Sequence, residues 1–289
     1  MLQKLMDNSF FPLSNAIGIF DSGVGGLSVF KEIKKKIPFH PVIYFADQFH
    51  VPYGPRSLEE VFSLSFVVTN FLMKLGAKVI VIACNTASAA ALYRLREIYS
   101  DTPFIGMEPA VKPAAEHTHT GSVGVLATPA TFQGKLYNSV VERFAKSVKI
   151  YQNTCPGLVQ EIEKGNFNGI KTRKILLDAL IPMLEKEIDS VVLGCTHYPF
   201  VIPLIEAIVG SNITVIDPSP AIANQTYRKI IENNIQAFSD SLGKNVLITS
   251  GSTKIFRKFI KKIHFDSEHN QIIKTTWSDD KSEINFVQE

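Results

Sequence analysis

Short β-branched runs alternate with longer stretches of helical period along the chain. The runs are Ala16–Phe20, Val42–Phe45, Val79–Ala83, Val123–Leu126, Val191–Leu193, Ile213–Ile216 and Val246–Thr249. Several are apolar at every position, the pattern of strands covered on both faces of a parallel sheet. Between them, Ser57–Leu75, Ile170–Glu187 and Pro218–Glu232 have helical spacing. Ser57 followed by Glu60 forms a capping box, and Gly76 supplies the stop. Lys34-Lys35-Lys36 before Pro38 suits a helix C-terminus, where cations meet the negative end of the dipole. Phe256–Ile263 is a basic amphipathic helix, expected on the surface with its apolar side on the core rather than on a membrane. After Phe265 the chain turns polar, and its pattern does not place this tail, which holds Trp277, the only Trp. Strand, helix, strand repetition predicts an α/β fold.

A weak internal repeat sharpens that expectation. Ile17-Gly18-Ile19 has a counterpart in Val123-Gly124-Val125, and Val79–Cys84 has one in Val191–Cys195. Nearly one offset relates both pairs, so two similar α/β halves with mainly parallel sheets are predicted. Each half then puts a Cys just past the carboxyl end of a strand, where open α/β sheets bind ligands.

Composition narrows the class. The chain has 289 residues, 45% hydrophobic and 20% charged, the proportions of a soluble globular protein. Lys+Arg 30 against Asp+Glu 27 leaves +3, which gives no argument for nucleic acid. Three cysteines, an odd number, fit reduced thiols better than a disulfide framework. Met1 to Asn15 lacks the basic and apolar blocks of a signal peptide, and no long apolar run suggests a membrane span. A cytoplasmic protein without membrane contact is expected.

Three segments could carry chemistry. Asp21-Ser22-Gly23-Val24-Gly25-Gly26 follows the first strand and opens a helix, so backbone N–H groups can approach an anion there. It does not meet the dinucleotide pattern, and no phosphate-loop pattern occurs, so a carboxylate suits it as well as a phosphate. In Cys84-Asn85-Thr86-Ala87-Ser88 the thiol lies at a helix N-terminus. The dipole there favours the thiolate and predicts a depressed pKa and a competent general base, against the alternative of a small buried hydrophobe. In Gly194-Cys195-Thr196-His197-Tyr198-Pro199, His197 can assist proton transfer beside Cys195. Zinc needs further ligands, and no second Cys/His pair stands out; His117 and His119 sit in a Thr-rich loop expected to be solvated. Two thiols in equivalent places of two similar halves suit a two-base racemisation, one removing a proton from one face of a carbon and the other returning it opposite. Electrostatic stabilisation of the carbanion-like transition state would make a cofactor unnecessary.

These residues resemble the glutamate racemases, cofactor-independent enzymes that supply D-glutamate for peptidoglycan. The resemblance spans Asn15 to Ile263 and rests on Ile17–Val29, Pro52-Tyr53-Gly54, Cys84–Ser88, Gly106–Ala110, Val123–Thr131, Val192–Pro199 and Asp217-Pro218. It implies that Cys84 deprotonates D-glutamate and Cys195 L-glutamate, assisted by Asp21 and His197. Ser22, Pro52, Tyr53, Gly54, Asn85, Thr86, Thr131 and Thr196 match substrate-binding positions. Glu163 falls where the family carries an acidic residue near the active-site His. The implied fold has the substrate in the cleft between two α/β domains, with 15–108 plus 217–264 in the first and 109–216 in the second. Residues 1–14 form an extension and 265–289 a tail outside the pattern. Gly134 departs from the family, many members carrying Ser there, and Cys155 is expected to be structural. The expected partners are glutamate and a second copy of the chain as a homodimer, with no metal, cofactor, membrane or nucleic acid. Racemisation of aspartate or another amino acid, binding to DNA gyrase, and nucleotide binding through the Asp21–Gly26 loop are the alternatives.

Overall fold

The computed structural model describes residues 13–237, 243–265 and 270–287, so the expected extension lies, up to residue 12, outside the described residues. The chain builds one sheet, leaves it to build a second, and returns. β1 (Ala16–Asp21), α1 (Leu27–Lys36), β2 (Val42–Ala46), α2 (Leu58–Lys74), β3 (Ala77–Ile82), α3 (Asn85–Ile98) and β4 (Phe104–Gly106) come first. The second unit follows with α4 (Val111–His117), β5 (Ser122–Ala127), α5 (Pro129–Gln133), α6 (Lys135–Phe144), β6 (Lys149–Asn153), α7 (Leu158–Glu163), α8 (Ile170–Leu184), β7 (Ser190–Gly194), α9 (Ile202–Val209) and β8 (Thr214–Ile216). The return comprises α10 (Ser219–Glu232), β9 (Asn245–Thr249), α11 (Thr253–Lys262), β10 (Asn270–Trp277) and β11 (Ile284–Phe286).

The first sheet has the order β11-β10-β9-β2-β1-β3-β4, parallel except for β11; the second has β6-β5-β7-β8, parallel throughout. The run β2-β1-β3-β4 is reproduced by β6-β5-β7-β8, which is the repeat seen in the sequence. Alternation explains why the central strands are apolar at every position. Ile17 and Ile19 enter one core while Ala16 and Phe20, pointing the other way, enter the core on the opposite face.

Helix ends follow local chemistry. Ser57 accepts from the Glu60 N–H at 3.2 Å, but Glu60's carboxylate pairs with Arg56 and not with the cap, so half of the predicted box forms. Gly76 ends that segment with φ +104, packed so closely on the Leu13 backbone that a Cβ would collide. α11 buries Phe256, Phe259 and Ile260 and leaves its lysines outward, as expected of a surface helix. No helix among the described residues is long and apolar enough to cross a membrane. The polar tail, which sequence pattern left unplaced, supplies the two strands at one edge of the first sheet.

Candidate active site

Four strand ends converge. β1 ends on Asp21 and β3 leads into Cys84; β5 leads into Thr128 and β7 into Cys195. β1 and β5 each lie between two strands reached by opposite crossovers, the switch point at which open α/β sheets form a crevice. Both thiols are nearly buried, at 5% and 7% exposure.

Contacts across the crevice are specific. Thr196 Oγ1 donates to Asp21 Oδ2 at 2.8 Å, and Asp21 Oδ1 accepts from the Gly23 N–H at 2.8 Å. Val24 N–H donates to Glu163 Oε1 at 2.8 Å, and the Glu163 carboxylate also accepts from Gln48 Nε2 at 2.9 Å. Glycine is required in this loop. A Cβ on Gly25 would lie 2.5 Å from His197 Nδ1 and 2.6 Å from Thr196 Oγ1, and one on Gly23 would run into Glu163. Thr86 and Thr131 both meet Thr128 Oγ1, at 2.8 and 2.9 Å.

Around the first thiol, Cys84 caps α3 and its Sγ accepts from the Ala87 N–H at 3.5 Å, with Ser22 Oγ at 3.9 Å. The expected depression of this thiol's pKa is not found. Burial pushes it up to about 12, the Asp21 carboxylate pushes the same way, and the Ala87 N–H opposes them without prevailing. The dipole that sequence position promises is outweighed by desolvation, which position alone does not reveal. Asp21 is itself raised, by burial first, against the lowering pull of His197.

Around the second thiol, Cys195 Sγ lies 3.8 Å from His197 Nδ1, and His197 Nε2 lies 2.6 Å from Glu163 Oε1. Burial alone would lower His197, but its bonds to Cys195 and Glu163 and their charges raise it well above its ordinary value. An imidazolium beside Cys195 can donate a proton or stabilise a thiolate.

Asn85 is 3% exposed, and among the described residues neither its Nδ2 nor its Oδ1 meets a hydrogen-bond partner. Such a group is costly unless something polar enters the crevice to pair with it. Tyr53 differs from a simple substrate contact. It is buried and its hydroxyl donates to Asp47 Oδ2 at 2.7 Å, while its neighbours Pro52 and Gly54 line a cavity. A cavity of about 180 Å³ lies there between Pro52, Gly54, Thr128, Cys155 and Tyr198. A second of about 520 Å³, lined by Gln48, Pro52, Glu163 and Lys258 among others, opens beside the His197–Glu163 pair. Gly134 packs on Ala89, whose Cβ would be 2.5 Å from an added Cβ, so a serine there would need α3 to shift. His117 and His119 are exposed, away from the crevice.

Thr128, Gln48 and Asp47 were not singled out from sequence. Thr128 carried a usable signal, a Thr before Pro at a helix start, and it does cap α5. Asp47 and Gln48 carried a weaker one, their place at the carboxyl end of β2.

Two open sheets whose strand ends close on a pair of buried thiols define a two-domain α/β protein of the racemase type. The profile of the Asp/Glu/Hydantoin racemase family matches residues 17–226, and the chain belongs to that family. It is 47% identical to the glutamate racemase of Pseudomonas paraeruginosa over 215 residues, 74% of this chain and 81% of that one. A crystal structure of a Bacillus anthracis glutamate racemase superposes with a TM-score of 0.78 at 32% identity, covering 89% of this chain and 96% of that one. One of the Francisella tularensis enzyme in complex with D-glutamate gives 0.77 at 29% identity, covering 91% and 98%. The chain is accordingly an amino-acid racemase, an isomerase.

Proposed function

We propose that the protein interconverts L- and D-glutamate by a two-base mechanism without a cofactor and supplies D-glutamate for peptidoglycan in the cytoplasm, assembled as a homodimer. Cys84 as thiolate removes the Cα proton of D-glutamate, and the Cys195 thiol returns a proton to the opposite face, giving L-glutamate. The reverse reaction exchanges the roles. After either turnover one thiol carries an extra proton and the other lacks one; exchange through Asp21 and His197 resets them. A thiol pushed up to about 12 does not ionise readily in the free crevice. The substrate ammonium supplies the positive charge that favours ionisation, so activation is coupled to binding. N–H groups at the start of α3, with Asn85, Thr86, Ser22, Thr131, Thr196 and the Pro52–Gly54 turn, are assigned to the substrate's charged groups.

The observation that supports this reading most is the pair of buried thiols at equivalent strand ends of the two halves, with the Cys84–Ser22 contact and the Thr196–Asp21 hydrogen bond lying between them. The test is proton NMR in D2O with each glutamate enantiomer, following the Cα proton and optical rotation together. Deuterium should enter and rotation decay to zero from both sides. Cys84→Ala and Cys195→Ala should each lose about 10³-fold or more in racemisation, within the range of one acid–base group, while circular dichroism stays native. Exchange of L-aspartate in place of glutamate would overturn the substrate, and full activity in either variant would overturn the two-thiol mechanism.

A further inference from the structure

Trp277 lies beyond the stretch matched by the family profile, which ends at residue 226. Yet β10 brings it to the carboxyl end of the first sheet, the end that faces the crevice. β10 runs parallel to β9 with Lys274 opposite Thr249, so Trp277 arrives just past the carboxyl ends of the strands. There its indole Nε1 donates to Asp47 Oδ1 at 2.8 Å, and its ring meets His50 edge-on with centroids 4.8 Å apart.

Asp47 is fully buried and accepts four hydrogen bonds, two on each oxygen. Ser250 Oγ joins Trp277 on Oδ1 at 2.8 Å; His50 Nδ1 and the Tyr53 hydroxyl reach Oδ2 at 2.9 and 2.7 Å. A buried carboxylate is tolerated only when its lone pairs are met, and donors on both oxygens lock its plane. That plane sets where Tyr53, and with it the Pro52–Gly54 turn, is held. The same segment reaches the rest of the site. The Asp47 N–H donates to the Asp21 carbonyl at 2.9 Å, and Gln48, the next residue, holds Glu163 behind His197.

We infer that Trp277 is a positioning residue for substrate binding, its N–H orienting Asp47 and thereby the Tyr53 turn that borders the crevice. The inference rests on the proposed role of that turn in holding the amino acid. It assigns to the C-terminal strand pair a part in the site and not only in the sheet edge.

Trp277→Phe keeps an aromatic ring and deletes the donor. Trp277→His restores one, because the five-membered rings superpose with Nε2 in place of the indole Nε1. The wild type is first assayed for Cα exchange, which tests the racemase reading by itself. KM is then measured for both enantiomers of the amino acid it exchanges; if it exchanges none, the Kd of D-glutamate is measured by calorimetry instead. Trp277→Phe should raise KM or Kd about tenfold, the order of one hydrogen bond to a charged group, with kcat within about twofold of wild type. Trp277→His should recover most of that loss. Unchanged KM or Kd in Trp277→Phe overturns the inference even if the melting temperature falls. Equal losses in Phe and His variants also overturn it, since they would trace to packing and not to the N–H.

Discussion

Asn85 sits in the first turn of α3 with its side-chain amide buried and unpaired among the described residues. A group in this state contributes desolvation cost to the free protein and recovers it only when a polar ligand pairs with it. Asn85→Ala is therefore expected to leave the melting temperature unchanged or higher while raising KM for glutamate about tenfold or more, the worth of hydrogen bonds to a charged ligand. Thermal melts beside initial rates check both halves of the statement. The His197–Glu163 pair behaves in the opposite sense, because both side chains are nearly buried, at 2% and 11% exposure. The folded-state pKa of His197 is raised, so the stability its protonated form contributes is complete below its ordinary value of 6.5 and is lost as pH rises through the folded value. Glu163→Gln removes the charge that helps hold the imidazolium. It should destabilise by about 3–5 kcal/mol near pH 6 and by less once the pH rises through the raised folded value, and it should move the alkaline limb of kcat/KM to lower pH. Urea melts and rate profiles over pH 6–10 measure the two effects; a constant stability gap across that range would contradict the assignment.

At the scale of elements, the crevice depends on how closely the β1–α1 loop approaches the β7 end. Gly25 is the point of contact, with the His197 ring and Thr196 hydroxyl occupying the space of a side chain. Gly25→Ala must displace one of them, moving His197 relative to Cys195. A displacement of about 1 Å costs on the order of 10²-fold in rate, whereas overpacking costs about 1–3 kcal/mol. Steady-state kinetics and a denaturant melt of the variant should show kcat falling by about that factor in a protein that still unfolds cooperatively. The same scale explains which elements were legible. Interior strands such as Val79–Ala83 carry unbroken apolar runs because both faces are covered. β6, at the edge of its sheet, has no fully buried residue and reads as a polar segment, and β4 is three residues long. β10 is half-exposed along most of its length, so its polar sequence conceals a strand.

Across the whole molecule, the two units share one core as well as one crevice. A single cluster runs from Ile17 and Val81 of the first sheet to Leu126, Val191 and Leu193 of the second. The hydrogen bonds from Thr196 to Asp21 and from Val24 to Glu163 tie the same units at the site. A ligand held between them stabilises both together. Glutamate at 100 times its dissociation constant is expected to add about 2.7 kcal/mol to the unfolding free energy. Calorimetry should show one transition moving upward, with hydrogen-exchange protection gained at the ends of both β3 and β7. Protection confined to one sheet would show that the ligand does not bridge them.

The alternation of apolar runs and helical stretches, the repeat, and the family motifs around Cys84 and Cys195 were determined by the amino-acid sequence alone. Each is encoded locally, in burial period, in strand-to-helix junctions and in short strings of residues, and so survives reading without coordinates. The raised pKa of Cys84, the company of His197, the burial of Asn85 with no partner among the described residues and the reach of Trp277 to Asp47 were decided only by the tertiary structure. These depend on desolvation and on distances between segments far apart in the chain. A helix N-terminus by itself predicts an acidic thiol; the depth of the crevice and the carboxylate beside it push this one the other way.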